Sequence, residues 1–405
     1  MSEKTPAGRP WPRIRLRRGV FWLLFFGASI CMAVLAVEVV GRLVLGDGPY
    51  YVQLFCPDPH LIYRNRPGFN RTLAKKRVDR QNLPPMPVRI SSQGLRGREY
   101  MPKDENTYRV VMLGDSLTFG WGLPESESIP RQLEARLRAE FSGTAIEVVN
   151  GGVSGYAPWQ AHGLFAAEAE WLDPDMVILQ TFTGNDLADT LTQLEGELAA
   201  LASYRVWRLR LVRRLRLLGP ISTRMDHWLL SHSWLYYYGC LAFDTDLVIT
   251  RAKNTLGLGR PIMIPPLPPR VDRPFPYEPH LCESYPRLEQ AWSLFQKDIR
   301  ALEAACRAQD SAFAVYNIPY PLDRSLADTA LAGMPDGLYC PDKGNRRIES
   351  FFSEEGIPHV PMLELFRKHP APLKLLLSDN HHLNKEGGAV VASALVEGLF
   401  TGGLP

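Results

Sequence analysis

Four short stretches of the sequence carry side chains whose types and spacing could do chemistry. Gly114-Asp115-Ser116-Leu117 directly follows the apolar run Arg109–Leu113. If that run is a strand, Ser116 sits in the turn at its carboxyl end, where a hydroxyl faces a site. The bland readings are a helix cap or a phosphate-binding turn. Asn150-Gly151-Gly152-Val153-Ser154-Gly155 follows a second apolar run. A glycine there lets backbone approach a ligand and aim an N–H at it, although glycines after strands are usually plain turns. Gly184-Asn185-Asp186 follows a third run. The Asn185 amide could donate to a developing negative oxygen, or Asp186 could simply cap a helix. Asp379-Asn380-His381-His382 precedes the last amphipathic segment. A spacing of three lets Asp379 and His382 meet across one turn, so the carboxylate can fix the imidazole tautomer while the other ring nitrogen takes a proton from serine. A metal site at His381 and His382 is the rival reading. Adjacent histidines point apart and no third ligand cluster is evident, so no metal is expected and His381 reads as structural.

Taken together and in this order, the four stretches resemble the SGNH (GDSL) hydrolase superfamily, over roughly residues 105–400. The resemblance implies a flavodoxin-like three-layer α/β/α fold with a central parallel five-stranded sheet. It also implies roles. Ser116 looks like the nucleophile, its own N–H one oxyanion donor, Gly155 the backbone donor and Asn185 the side-chain donor. Asp379 and His382 look like the acid and base partners. Gly152 competes with Gly155, and spacing after Asn150 favours Gly155. No cofactor is implied. The lead-in SSQGLRG, then GDSLTFGWGL, is similar to membrane-anchored bacterial members of the superfamily. Acyl transfer through a serine ester is the expected reaction, with a glycan O-acyltransferase and a non-catalytic glycan-binding or envelope scaffold protein as alternatives. A neutral imidazole is needed, so activity should fall as pH drops through about 6–7.

The elements that must hold these groups can be read from periodicity. Arg109–Leu113, Ile146–Asn150, Met176–Thr181, Phe313–Asn317 and a piece near His359–Met362 read as short buried strands. Between them, helices are expected from about Pro130, over Trp159–Trp171, along Leu288–Leu302 and from about Asn384 to Phe400. Strands alternating with helices mean a parallel sheet covered on both faces, with a site beyond the strands' carboxyl ends. Residues 46–105, rich in Pro, Arg and Asn, read as a stalk and β-rich lead-in. An insertion at about 190–280 interrupts the rhythm. Its arginines from Arg205 to Arg216 alternate with Trp207, Leu211 and Leu215, as on a membrane-surface helix or an ordinary solvated one, and eight prolines follow between Pro261 and Pro279.

Composition excludes other classes. The chain has 405 residues, 45% hydrophobic and 22% charged, which is globular rather than disordered. Net charge is +3, but residues 1–18 hold six basic residues against one acidic, so the rest of the chain is close to neutral. No nucleic-acid footprint is expected. Gly19–Val37 carries no charge, and its helix would be about 28 Å long against a hydrocarbon core of about 30 Å. Residues 1–45 are read as a basic tail and a transmembrane anchor, the basic residues keeping the tail in the cytoplasm and sending the catalytic body across the membrane. A cleaved signal peptide is the alternative. Five cysteines would then face an oxidising compartment, where disulfides are allowed, and since five is odd at least one stays free or pairs between chains. Expected partners are an acylated small molecule, glycan or lipid, and a membrane.

Overall fold

The computed structural model describes residues 13–45, 54–58, 60–73, 85–194, 233, 277–326, 337–378 and 381–405. The centre is a five-stranded sheet, all parallel, in the order β6-β5-β7-β8-β9. Its strands are β5 (Thr107–Gly114), β6 (Ala145–Gly152), β7 (Met176–Phe182), β8 (Ala312–Ile318) and β9 (His359–Val360). Parallel strands are buried on both faces and so read as continuous apolar runs. Successive side chains alternate between the two layers. Val111 and Leu113 of β5 and Val177 and Leu179 of β7 enter one core, whereas Val110, Met112, Met176 and Ile178 enter the other.

Helices cover both layers. On the first face lie Pro158–Leu172, the long helix Pro286–Ala308 and Lys343–Glu354, which contribute Phe165, Trp292, Phe295, Ile299 and Phe352. On the second lie Ile129–Glu140, Met362–Lys368 and Lys385–Leu399, which contribute Leu133, Leu137, Phe366, Val391 and Leu395. The three-layer arrangement expected from the sequence is present. The fifth strand is shorter than expected. Only Val315 and Tyr316 of β8 pair with it, and Met362 already begins a helix.

Two antiparallel hairpins precede the sheet, β1 (Phe55–Asp58) with β2 (Ile62–Asn65) and β3 (Asn70–Leu73) with β4 (Met86–Arg89). Their Phe55, Tyr63, Phe69, Met86 and Val88 belong to the first-face core, so these lead-in residues share it with the sheet.

The helix Arg13–Leu45 contains the stretch Gly19–Val40, with mean hydropathy 2.5 and none of it buried. It is long and apolar enough to cross a membrane. A signal sequence passes the same test. The basic segment Arg205–Arg216 and the proline-rich stretch 261–276 lie outside the described residues.

A disulfide joins Cys282 to Cys340 across 58 residues of sequence. The loop it closes holds the long helix Pro286–Ala308 and β8. Cys306 is buried in the core as a thiol. Chain-entropy arguments give such a closure about 4 kcal/mol. Cys282→Ser together with Cys340→Ser should therefore lower the thermal midpoint, and reductant should do the same to the wild type only. An unchanged midpoint in both would remove the disulfide from the stability of the fold.

Candidate active site

The sheet order reverses direction beside β5. From β5 the chain passes to β6 on one side and then to β7 on the other. The carboxyl ends of these three neighbours therefore share one edge, where a doubly wound sheet opens its crevice. Ser116, Gly155 and Asn185 follow β5, β6 and β7 respectively.

Ser116 opens a four-residue helix, Ser116–Phe119. Asp115 caps it, its side chain accepting from Leu117 N at 2.8 Å. Gln180 of β7 braces the same turn. Its Oε1 accepts from Asp115 N at 3.2 Å, Thr118 N at 3.3 Å and Thr118 Oγ1 at 3.0 Å. Gln180 escaped the sequence reading. The signal was there: a single amide in β7, directly after its apolar run Met176–Leu179.

His382 arrives from the far end of the chain. Its Nε2 lies 2.9 Å from Ser116 Oγ. The backbone around it is fixed by Leu377 N donating to His382 O at 2.8 Å and by Asn384, which caps the last helix by accepting from Gly387 N at 2.9 Å. The Trp121 ring stands 6.5 Å from the His382 ring, and both line a small cleft with Leu117, Leu123, Ile129 and Leu383. Asp379 lies outside the described residues. His381 stacks on Tyr320, with ring centres 5.2 Å apart.

The second glycine stretch divides into two jobs. Gly152 touches the turn that carries Ser116: a Cβ there would fall 2.2 Å from Phe119 N. Gly155 has φ +83°, a left-handed conformation that glycine adopts without steric cost. Asn185 Nδ2 donates to Asp189 Oδ2 at 2.8 Å, which orients the amide and leaves its second N–H for another acceptor. Asn185 Oδ1 is buried with no hydrogen-bond partner among the described residues.

Two carboxyls lie buried beneath this edge. Burial raises the Asp115 carboxyl, against the Leu117 N–H and the nearby His382, which favour its charge. Burial and then the neighbouring Asp115 raise Asp186 well above the ordinary range. Asp186 Oδ2 accepts from Phe182 N at 2.9 Å. Among the described residues, no group of three His, Cys, Asp or Glu side chains could hold a metal ion.

A hydroxyl in contact with an imidazole, beside turns that present backbone and amide donors, can act as a nucleophile toward a carbonyl carbon. The family model of the GDSL-like lipase/acylhydrolases matches residues 112–390. The chain belongs to that family and is an ester-bond hydrolase. Solved structures resemble it at low identity. TesA is 13% identical, the alignment covering 72% of this chain and 97% of that one, with TM-score 0.35. A catalytic mutant of Axe2, an acetylxylan esterase from Geobacillus stearothermophilus, is 13% identical over 73% and 95%, with TM-score 0.37. The psychrotrophic esterase EstA from Pseudoalteromonas sp. is 14% identical over 73% and 97%, with TM-score 0.35. No curated protein matches the sequence significantly.

Proposed function

We propose that this chain is a serine esterase held at the outer side of a membrane, cleaving an O-acyl group from a cell-surface glycan or lipid. The observation that carries the reading is the 2.9 Å contact between Ser116 Oγ and His382 Nε2. In the proposed reaction His382 Nε2 takes the hydroxyl proton as Ser116 Oγ attacks the ester carbon. The Ser116 and Gly155 N–H groups and Asn185 Nδ2 receive the oxyanion. The same imidazole returns the proton to the leaving alkoxide, and an acyl-serine remains. Water, deprotonated by His382, then attacks that ester and frees the carboxylic acid and the serine. Asp379 is assigned the role of bracing the imidazolium.

The location rests on two features. The apolar helix follows a basic tail, which orients a span with the tail inside. The Cys282–Cys340 disulfide belongs to an oxidising compartment. An O-acyltransferase would use the same five residues, with a sugar hydroxyl in place of water.

Ser116→Ala decides the matter. With p-nitrophenyl acetate and acetylated glycans it should lose all measurable turnover, and a fluorophosphonate probe should label the wild type alone. Equal release by both proteins would reject the serine mechanism. Acylated sugar as the main product on adding an acceptor would assign transfer instead of hydrolysis.

A further inference from the structure

The region matched by the family model begins at residue 112. Upstream of it, strand β2 reaches the loop that carries Gly155. Tyr63 Oη donates to Ser154 O at 2.9 Å. Tyr156, on the other side of Gly155, donates its hydroxyl to Tyr63 O at 2.6 Å. Asn65 Nδ2 donates to Gly152 O at 3.1 Å. Gly155 itself lies against the phenol, since a Cβ there would stand 2.7 Å from the Tyr63 hydroxyl oxygen. The phenol ring packs edge-on against Tyr156 and Phe55, with centres 5.5 Å and 5.4 Å away. Tyr63 is thus buried and fixed, with 5% of its surface exposed.

The peptide unit explains why this contact matters. Ser154 C=O and Gly155 N–H belong to one planar trans peptide, so they point in opposite directions. A hydrogen bond that fixes the carbonyl fixes the N–H as well. It also polarises the peptide, which strengthens the N–H as a donor. We infer that Tyr63 is a positioning residue: by holding Ser154 O it aims the Gly155 N–H at the developing oxyanion.

A second grip from the same lead-in acts on the nucleophile turn. Arg96, of the SSQGLRG stretch, is fully buried. Its guanidinium donates to the carbonyls of Phe119, of Gly120 at 2.8 Å and of Leu123 at 2.6 Å, and lies 4.2 Å over the Phe119 ring. Its backbone N donates to Asn150 O at 3.2 Å. A short helix leaves its last carbonyl without an intrahelical partner, and Arg96 supplies one for Phe119 while also gripping Gly120 and Leu123 in the turn that follows. The lead-in therefore touches both turns from behind, without contributing a group to the reaction.

The inference rests on Ser116 and Gly155 having the roles proposed above, and the experiment separates the two. Tyr63→Phe keeps the ring packing and removes only the hydroxyl. Turnover per fluorophosphonate-titrated site should fall about 10-fold with KM unchanged. That is less than the 10²–10³ lost with a whole oxyanion donor, because the N–H remains but is less well aimed. The rate of phosphonate capture should fall in proportion. Asn65→Ala, which releases Gly152 O on the same loop, should give a smaller fall of the same kind. A lowered thermal midpoint with turnover per site unchanged in both variants would overturn the inference and make Tyr63 a packing residue. Full activity in Ser116→Ala would instead remove the underlying reading.

Discussion

Asn185→Ala is expected to lower turnover about 10²–10³-fold while KM changes little, the signature of a donor used only in the transition state. The amide is already aimed by Asp189, so its contribution needs no rearrangement at the moment of reaction. Stability should move far less, because the substitution also removes the buried Oδ1 that has no partner among the described residues. Turnover with p-nitrophenyl acetate, fluorophosphonate capture rates and thermal unfolding together test this. Wild-type turnover in a folded Asn185→Ala protein would exclude the amide from the oxyanion site.

Gly152→Ala should damage fold and catalysis together. The added methyl would meet Phe119 N at 2.2 Å, Phe119 Cα at 2.7 Å and Thr118 C at 2.7 Å, all backbone of the nucleophile turn. No side-chain rotation relieves such a clash. Overpacking of this kind costs about 3 kcal/mol, which lowers the thermal midpoint by roughly 6–12 °C in a domain of ordinary size. What relief there is comes from moving Ser116, and a displacement of about 1 Å can cost about 10²-fold in rate. Gly143→Ala, where a Cβ meets nothing within 4 Å, serves as the control and should leave both unchanged. Unfolding curves and turnover measured side by side check it; a Gly152→Ala protein as stable and active as the control would show that the turn yields without penalty.

Much of the architecture could be read from pattern because parallel strands bury both faces. Val110–Leu113 and Val177–Leu179 are apolar at every position, and such short runs alternating with amphipathic helices point to a covered sheet. Ser116 and His382 stand in recognisable short motifs, and the structure brings them into contact although His382 lies beyond the helix Met362–Lys368 rather than at a strand's end. Of the residues that hold the turns, Gln180 left a signal as a lone amide in β7, but Tyr63 and Arg96 did not. Those two donate to backbone oxygens brought close by tertiary packing, and a bond to a peptide group leaves no complementary side chain in the sequence to search for. The apolar positions of the lead-in are legible only in part: Met86, Val88 and Ile90 alternate with Pro87 and Arg89 as in a strand, whereas Tyr63 and Phe69 stand in stretches too short and mixed to show a period. Composition there reports the surface of the segment and hides the side that packs. The fifth strand is short for a local reason: Pro361, which has no N–H to give a ladder, follows Val360 and caps the helix that begins at Met362.

The nucleophile and its base are separated by 266 positions along the chain. A ribosome adding about 5–20 residues per second needs roughly 13–53 s to travel from one to the other. Throughout that interval the growing polypeptide carries an ordinary, unactivated serine. On the proposed mechanism the chain is therefore inert toward esters until His382 has been made, so a chain cut short before that residue lacks the base that would activate its serine.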